Sequence, residues 1–384
     1  MNLTQSFKRL DDLLVEYQSY WNFVPFEQTT VPWNNAQLDA LLSQTNSTSK
    51  IAENIFPKVH NWLNNSEKQT GVVNENWQKE VPFWLTNGIH GRKIEQIKQL
   101  CSHIKPIYPV LEWCAGKGHL GRLLSFQHQC KVVSAEWQSH LCQQGAELAH
   151  KYQIPQKFIH TNVLQDPLNF IEVDQHIVAL HACGDLHVTL LKHMQKVSSK
   201  QLHLAPCCYH LIAEDSYAAL SQAGQASSLN IKRNILKLAV QAQVTGGKRI
   251  TELRRKEVLW RLAYQALRAD ISGQTAYASL PSVNKSWFSG EFNAFAKWGL
   301  NHQNLQQPDF IDDEYYLEIG QEKALFTQKL ESVRHVFQRA LEYWLVLDKA
   351  IYLQDLGYQV KLKAFCDYHT TPRNLMIIAK RSDG

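Results

Sequence analysis

The sequence predicts an α/β protein built on an open, mostly parallel sheet with helices on both faces. From Pro109 onward, short apolar runs ("PVLEW", "KVVSAE", "KFIHTN", "HIVALHA", "QLHLAP") alternate with stretches that suit a helix. Parallel strands need such helical crossovers. The first run ends in a glycine-rich turn, "CAGKGHLG", that opens a helix. The chain closes with a long helical pattern and two more strand runs, "YQVKLKAFC" and "NLMIIAKR". Their connection, "DYHTTPR", is short enough for an antiparallel hairpin.

Taken in order, the N-terminal segment reads as helical. Phe7, Leu10, Leu13, Leu14, Tyr17 and Trp21 fall on one helical face, and helical patterns recur at Asn35–Ser43 and Ser49–Leu63. "NSEKQTGVVNEN" reads as a polar connector. "HGRKIEQIKQLCSHIKP" begins a helix after Asn87–Gly91 and stops before Pro106 and Pro109. This organisation predicts an N-terminal helical accessory region over 1–82 and an α/β domain over 83–384. After the fifth strand the alternation is interrupted, so about 224–320 are assigned to a basic helical insertion. The last helical pattern runs from about Glu322 to Leu356, with Gly357 as its stop.

Composition excludes several classes. The 384 residues are 44% hydrophobic and 20% charged, as in a core-forming globular protein. The net charge of +5 is mildly basic and compatible with a polyanionic partner. No stretch reaches the ~18 uncharged apolar residues of a membrane span; "LEYWLVLDKAIYL" is broken by Glu342, Asp348 and Lys349. "MNLTQSFKRLDDLL" lacks the apolar core of a signal peptide. Eight scattered cysteines do not form a disulfide framework. The expectation is a soluble, cytoplasmic protein.

Gly116, Gly118 and Gly121 fit G-x-G-x-x-G between a strand and a helix, where glycines let backbone turn tightly and approach a ligand. Glu136, twenty residues beyond Gly116 at the tip of the second strand, is placed to accept from ribose hydroxyls. A dinucleotide and an adenosyl ligand both satisfy that pattern.

"EWCAGKGHLGRLL", "LHACGDL", "PCCYH" and "TPRNLMIIA" together resemble a group of class I S-adenosylmethionine-dependent methyltransferase-domain proteins. The group has bacterial members and animal methyltransferase-like relatives, and the resemblance covers roughly Phe83 to Lys380. The pairing of H-x-C-G-D with a later C-C-x-H is also similar to eukaryotic tRNA 2′-O-methyltransferases of the acceptor stem. The resemblance implies a Rossmann-like seven-stranded sheet with an antiparallel C-terminal hairpin and S-adenosyl-L-methionine as cofactor. It places Glu112, Cys114, Gly116, Lys117, Gly118, Glu136 and His181 around that cofactor, with Glu112 facing its methionine end. Trp137 either stacks on the adenine or belongs to the core; Asn162 either accepts from the adenine amino group or caps a turn. Cys114 departs from the pattern, standing where most class I enzymes carry glycine. A positive φ there costs about 1 kcal/mol or more. A nicotinamide cofactor is the competing reading.

In an open α/β sheet, ligands sit beyond the carboxyl ends of the strands. The fourth strand brings His181, Cys183 and Asp185 to that edge, the fifth brings Cys207, Cys208, Tyr209 and His210, and the sixth brings the loop Asp367–Asn374. Methyl transfer from a sulfonium is an in-line displacement that needs an aligned nucleophile and at most a base, not a metal or covalent intermediate. Asp185 is the expected base or orienting acceptor, with Tyr209 beside it. His210 is suited to relay a proton, Arg373 to hold a phosphate or carboxylate, and Asn374 to contact a base edge or the cofactor. The cysteines admit three readings. They are a zinc site of Cys183, Cys207 or Cys208, and His210, or a thiol nucleophile, or small pocket walls. Adjacent cysteines rarely both reach one ion, so pocket walls without metal are expected.

Residues 232–268 carry Lys232, Arg233, Lys237, Lys248, Arg249, Arg254, Arg255, Lys256, Arg261 and Arg268, with Trp260 and Tyr264 among them. That pattern suits RNA backbone contacts, or else a solvated helix whose Leu259, Trp260 and Leu262 pack inward. The expected function is methylation of RNA, tRNA or rRNA. The alternatives are methylation of protein or a small molecule, an NAD-dependent oxidoreductase, and an inactive cofactor-binding docking module.

Overall fold

β-branched and aromatic runs bounded by turn residues become strands. In the computed structural model, which describes residues 2–71, 81–89, 91–241 and 248–381, these are β1 (Val110–Trp113), β2 (Val132–Glu136), β3 (Gln156–His160), β4 (His176–Cys183), β5 (Gln201–Cys207), β6 (Gln359–Ala364) and β7 (Leu375–Lys380). They form one sheet in the order β3-β2-β1-β4-β5-β7-β6. The first five strands are parallel, and β7 is antiparallel to both β5 and β6. β6 therefore runs with the parallel strands, and the Rossmann-like sheet with its antiparallel C-terminal hairpin is present. β1 is hydrogen-bonded to both β2 and β4, so the strand order reverses there and a crevice opens at the strand tips.

Strand alternation sorts the two faces. Val110, Val132, Val178, Ala205 and Met376 pack in one cluster with Ile97, Leu100, Leu120 and Leu123 from helices Arg92–Ser102 and His119–His128. Trp113, of opposite parity to Val110, donates its Nε1–H at 3.0 Å to the Leu186 carbonyl of helix Asp185–Val197. Two positions break the regularity. The β4–β5 register shifts between Leu180 and Ala182, where His181 adopts φ +61°, and Cys208 just after β5 adopts φ +45°.

The chain divides into two compact units, and the division does not fall at residue 82. The first comprises Met1–Glu16, Lys58–Gln241 and Gln338–Gly384, the second Tyr17–Pro57 and Ala242–Phe337. The first helix, Leu3–Glu16, belongs to the sheet-bearing unit: Phe7 lies 5.3 Å from the Trp344 ring, and Trp344 Nε1 donates to Asp11 Oδ1 at 2.8 Å. The expected connector at 65–76 is helical in its first half, because helix Pro57–Thr70 runs through it; residues 72–76 lie outside the described residues. The final helical pattern is two helices, Asp313–Arg334 and Gln338–Asp355, separated by a 3-10 turn at His335–Phe337.

In the second unit Trp260, Tyr264, Phe288, Phe292 and Phe295 form one buried aromatic cluster. Trp260 and Tyr264 are thus core, and the expectation that they interleave with basic residues on an RNA-facing surface does not hold. Arg261 donates to the Leu280 and Pro281 carbonyls, and Arg268 to those of Gln274 and Ala276, so these cations bind loop backbone. Arg249, Arg254 and Arg255 are exposed; the Lys248 side chain lies outside the described residues. Among the described residues no helix is long and apolar enough to cross a membrane.

Candidate functional site

At the tip of β1 the chain turns through a run of left-handed residues: Cys114 at φ +54°, Gly116 at +59° and Gly118 at +67°. Cys114 is held in the conformation that costs a side chain about 1–2 kcal/mol. The three motif glycines divide their work. A Cβ on Gly116 would meet nothing within 4 Å, because Gly116 faces open space. On Gly118 it would stand 2.5 Å from Phe158 Cζ, and on Gly121 2.5 Å from Glu112 Oε2. Gly118 therefore packs against β3 and does not face the cofactor side, contrary to the expectation for it.

The Gly116 N–H donates to Glu136 Oε2 at 2.9 Å, and the Gln138 N–H donates to Oε1 at 3.0 Å. Beside this clamped carboxylate lies a cavity of about 550 Å³, within the range of small-molecule sites. Cys114, Gly116, Glu136, Trp137, Asn162, Cys183 and Asp185 line it, with Leu141, Val163, Leu164 and Leu211 as its apolar wall. Trp137 is 62% exposed, so it is a lip of the cavity and not core. Asn162 caps a turn, its Oδ1 accepting from Leu164 N–H at 3.1 Å, while also forming part of the wall.

A second cavity of about 450 Å³ shares Cys114 and Gly116 with the first and is lined by Lys93, Gln96, Glu112, His119, His181 and Arg373. The two make a trough on either side of the glycine loop, apolar at one end and charged at the other. Glu112 Oε2 accepts from Ser134 Oγ at 2.6 Å and Gln156 Nε2 at 3.3 Å. Burial raises the Glu112 pKa against the opposing pull of the Ser134 bond. The carboxyl is both a floor of the trough and a strut under the loop. Burial, reinforced by Arg373, lowers His181 to about 4, so its ring is neutral. Its Nε2 lies 2.8 Å from Gln96 Oε1 and donates there, leaving the buried Nδ1 as an acceptor with no hydrogen-bond partner among the described residues.

Asp185 opens helix Asp185–Val197 at the rim, its Oδ2 accepting from Ala213 N–H at 2.7 Å. Arg373 lines the charged end. His210 is half-buried, its pKa lowered by burial against the charge of Cys208, and it lines neither cavity. Two expected catalytic residues point elsewhere. Tyr209 is 1% exposed, its hydroxyl on the Pro206 carbonyl and its ring 5.3 Å from Lys349 Nζ, because the left-handed turn at Cys208 sends it into the core. Asn374 is buried, donating to the Cys366 carbonyl and accepting from Arg339 Nη2, and it secures the β6–β7 hairpin. Lys117 contributes its carbonyl to Arg122 Nη2, while its side chain is exposed and lines neither cavity.

The cysteines cluster more tightly than their positions on two strands suggest, and Cys183 lines the cavity as expected. Cys183, Cys207 and Cys208 place their sulfurs within 4.8 Å of one another, and the Cys183–Cys207 separation is 3.2 Å. Hydrogen bonds from Cys183 and Cys207 pull the Cys208 thiol well below its ordinary value, with His210 and Arg373 adding to the effect. Sequence reasoning missed Lys93, Gln96 and His119 at the charged end and Leu141, Leu164 and Leu211 at the apolar end. Lys93 and Gln96, three apart on the helix preceding β1, were the available signal.

Residues 92–215, about a third of the chain, match the family model described as a methyltransferase domain. No curated protein is similar enough to count as a relative. Among solved structures, the chain is similar to coclaurine N-methyltransferase bound to N-methylheliamine and SAH, at 13% identity and TM-score 0.28, covering 88% of this chain and 89% of that one. It is similar to a putative sarcosine dimethylglycine methyltransferase from Galdieria sulphuraria at 11% identity and TM-score 0.29, covering 76% and 86%. A TehB-like SAM-dependent methyltransferase from Corynebacterium glutamicum matches at 12% identity and TM-score 0.23 over 28% of this chain. The match spans only 61% of that protein's length. At such scores these likenesses carry no argument about this chain.

The α/β body thus contains the stretch that matches a methyltransferase domain, whose expected cofactor is S-adenosylmethionine. The residues present fit that group. Open space at Gly116 admits the ligand against bare backbone, Glu136 would hold the ribose diol, and the Leu141–Leu164 wall with Trp137 would hold the adenine. Glu112, Lys93 and Arg373 offer both signs of charge to the amino-acid end.

Proposed function

We propose that this protein transfers the methyl group of S-adenosylmethionine to RNA. The observation that supports the RNA reading is the company Asp185 keeps. Ala213, whose N–H fixes the Asp185 carboxylate, offers its carbonyl to Arg233 Nη1 at 3.4 Å. Arg233 also pairs with the almost fully exposed Asp215 at 3.2 Å. Burial lowers the pKa of His210, and the charge of Lys237 adds to that lowering. Exposed Arg233 therefore stands by the loop that fixes Asp185 at the mouth of the trough, and exposed Lys237 acts on His210 outside the cavities. To these two cations a polyanionic backbone would be anchored.

The cofactor, when bound, supplies an electrophilic methyl group on a sulfonium. Asp185, immobilised by Ala213, orients the attacking hydroxyl or ring nitrogen and accepts its proton. Leu164 and Leu211, both more than half exposed, border the cavity and would exclude water once substrate covers them. Neutral His181 contributes an acceptor and no charge.

Incubating the protein with labelled S-adenosylmethionine and separated RNA, protein and small-molecule fractions from a strain lacking it tests the proposal. Label in RNA, lost with Asp185→Ala, is expected. Label confined to protein or small molecules would replace RNA as the substrate, and no label in any fraction would leave a docking module.

A further inference from the structure

We infer that Cys183, Cys207 and Cys208 form a zinc site whose fourth position opens beside the cofactor trough. The three sulfurs lie within 4.8 Å of one another, and the closest pair, Cys183 and Cys207, are 3.2 Å apart. Zn–S bonds of ~2.3 Å at the tetrahedral angle separate sulfurs by roughly 3.8 Å. The closest pair falls roughly 0.6 Å short of that value and no pair exceeds it by more than about 1 Å, so an ion is accommodated by small sulfur movements.

Successive residues of a strand point to opposite faces, and Cys207 and Cys208 should diverge. They converge because Cys208 adopts φ +45° as it leaves β5. On the neighbouring strand, His181 at φ +61° and the register shift between Leu180 and Ala182 bring Cys183 level with Cys207. Two side-chain-bearing residues are thus held in left-handed backbone on either side of one thiol cluster. Such strain gathers where a site is being shaped.

Charge and ligand count agree. Three thiolates and Zn²⁺ carry a net negative charge, and Arg373 acts electrostatically on both Cys183 and Cys208. Soft thiolate donors select zinc over magnesium or calcium. His210 is not in the set of donors within 4.8 Å, so among the described residues the protein supplies three ligands and leaves the fourth to water or a substrate atom. That arrangement distinguishes an open zinc site from a closed structural one. Cys183 lines the trough together with Asp185, so the open position would serve the same substrate-binding mouth. The inference stands on thiol geometry alone and does not depend on RNA being the substrate.

The test is metal content. The full chain, purified without chelator, is expected to retain about one zinc per molecule by elemental mass spectrometry, at the affinities of thiolate sites. Cys183→Ser and Cys208→Ser should lose it, while Cys130→Ser, outside the cluster, should not. Should the serine variants fail to fold, the wild-type chain serves. Stripped of metal under reductant and titrated with Co²⁺, it should develop a sulfur-to-cobalt charge-transfer band that Zn²⁺ abolishes. Absence of that band, with Zn²⁺ protecting none of the eight cysteines from a thiol reagent, would overturn the inference. So would a Cys183–Cys207 disulfide that forms in air equally well with Zn²⁺ present.

Discussion

The backbone N–H of Gly116 donates to Glu136 Oε2 at 2.9 Å, joining the loop after β1 to the tip of β2. The loop thereby aims the acid before any ligand arrives. A preset anion loses little on binding a diol, which is the advantage of preorganisation. Glu136→Ala should weaken S-adenosylhomocysteine binding roughly 10- to 100-fold, the worth of hydrogen bonds to a charged group. Glu136→Gln should lose less. Calorimetric titration measures both, and equal affinities across the three proteins would remove Glu136 from the site.

Gly116 and Gly118 are expected to fail differently. Gly116→Arg fills the open space of the trough and should abolish cofactor binding, while costing stability only the about 1–2 kcal/mol of a side chain at φ +59°. Gly118→Ala drives a methyl toward Phe158, which stands 2.5 Å from where its Cβ would sit. It should lower the midpoint by several degrees, in keeping with overpacking costs of about 1–3 kcal/mol. Thermal melts with and without S-adenosylhomocysteine separate the two. Identical behaviour would contradict the division of labour among the glycines.

Asp185→Ala should reduce kcat about 100-fold or more, as loss of a general base does, while cofactor affinity stays within a few-fold. Single-turnover kinetics is the measurement. An unaltered rate would leave Asp185 as a peg for the Ala213 loop.

Reversing charge at Arg233 and Lys237 should weaken RNA binding and flatten its salt dependence, by about 0.7–0.9 in the log–log slope for each phosphate no longer neutralised. Arg254→Glu with Arg255→Glu tests the exposed cations of the second unit in the same assay. Filter binding across a salt series reads both; slopes matching wild type would make these cations solvated surface.

Buried histidines set an acid limit. Burial lowers His119, His176 and His187 to about 3 and His181 to about 4, from an ordinary value of 6.5. Between those limits the unfolded chain binds more protons than the folded one, so stability rises with pH over that window and is lost on acidification. Each histidine contributes up to about 1.4 kcal/mol per pH unit there. The urea midpoint should therefore fall clearly from pH 7 to pH 5. A flat profile would mean that these rings are protonated in the native state.

What sequence disclosed, and what it hid, follows from the range of the forces involved. The strands, the left-handed glycine turn and the acid at the tip of β2 are local, and periodicity shows them. Arg373 at the charged end followed from strand order, whereas sequence leaves Trp137 open between the cofactor and the core. Tyr209 and Asn374 were misplaced because their directions depend on the reversed φ of Cys208, on Arg339 of the last helix and on Cys366 across the hairpin. The convergence of adjacent thiols was hidden for the same reason. Helix Leu3–Glu16 looked like part of a separate region because its partner Trp344 is remote in the chain. Trp260 and Tyr264 looked like a stacking surface because nothing nearby announced Phe288, Phe292 and Phe295 as their neighbours.

That remote partnership bears on how the protein is made. Asp11 and Trp344 are separated by 333 positions, and a ribosome adding ~5–20 residues per second needs tens of seconds to cover that distance. Throughout this interval the greasy stripe of Phe7, Leu10 and Leu14 has emerged without the indole that will cover it. The nascent chain is therefore a natural client for a holdase during translation. A fragment begun at residue 83 to isolate the catalytic body would leave the Trp344 indole bare in turn and should stick to itself.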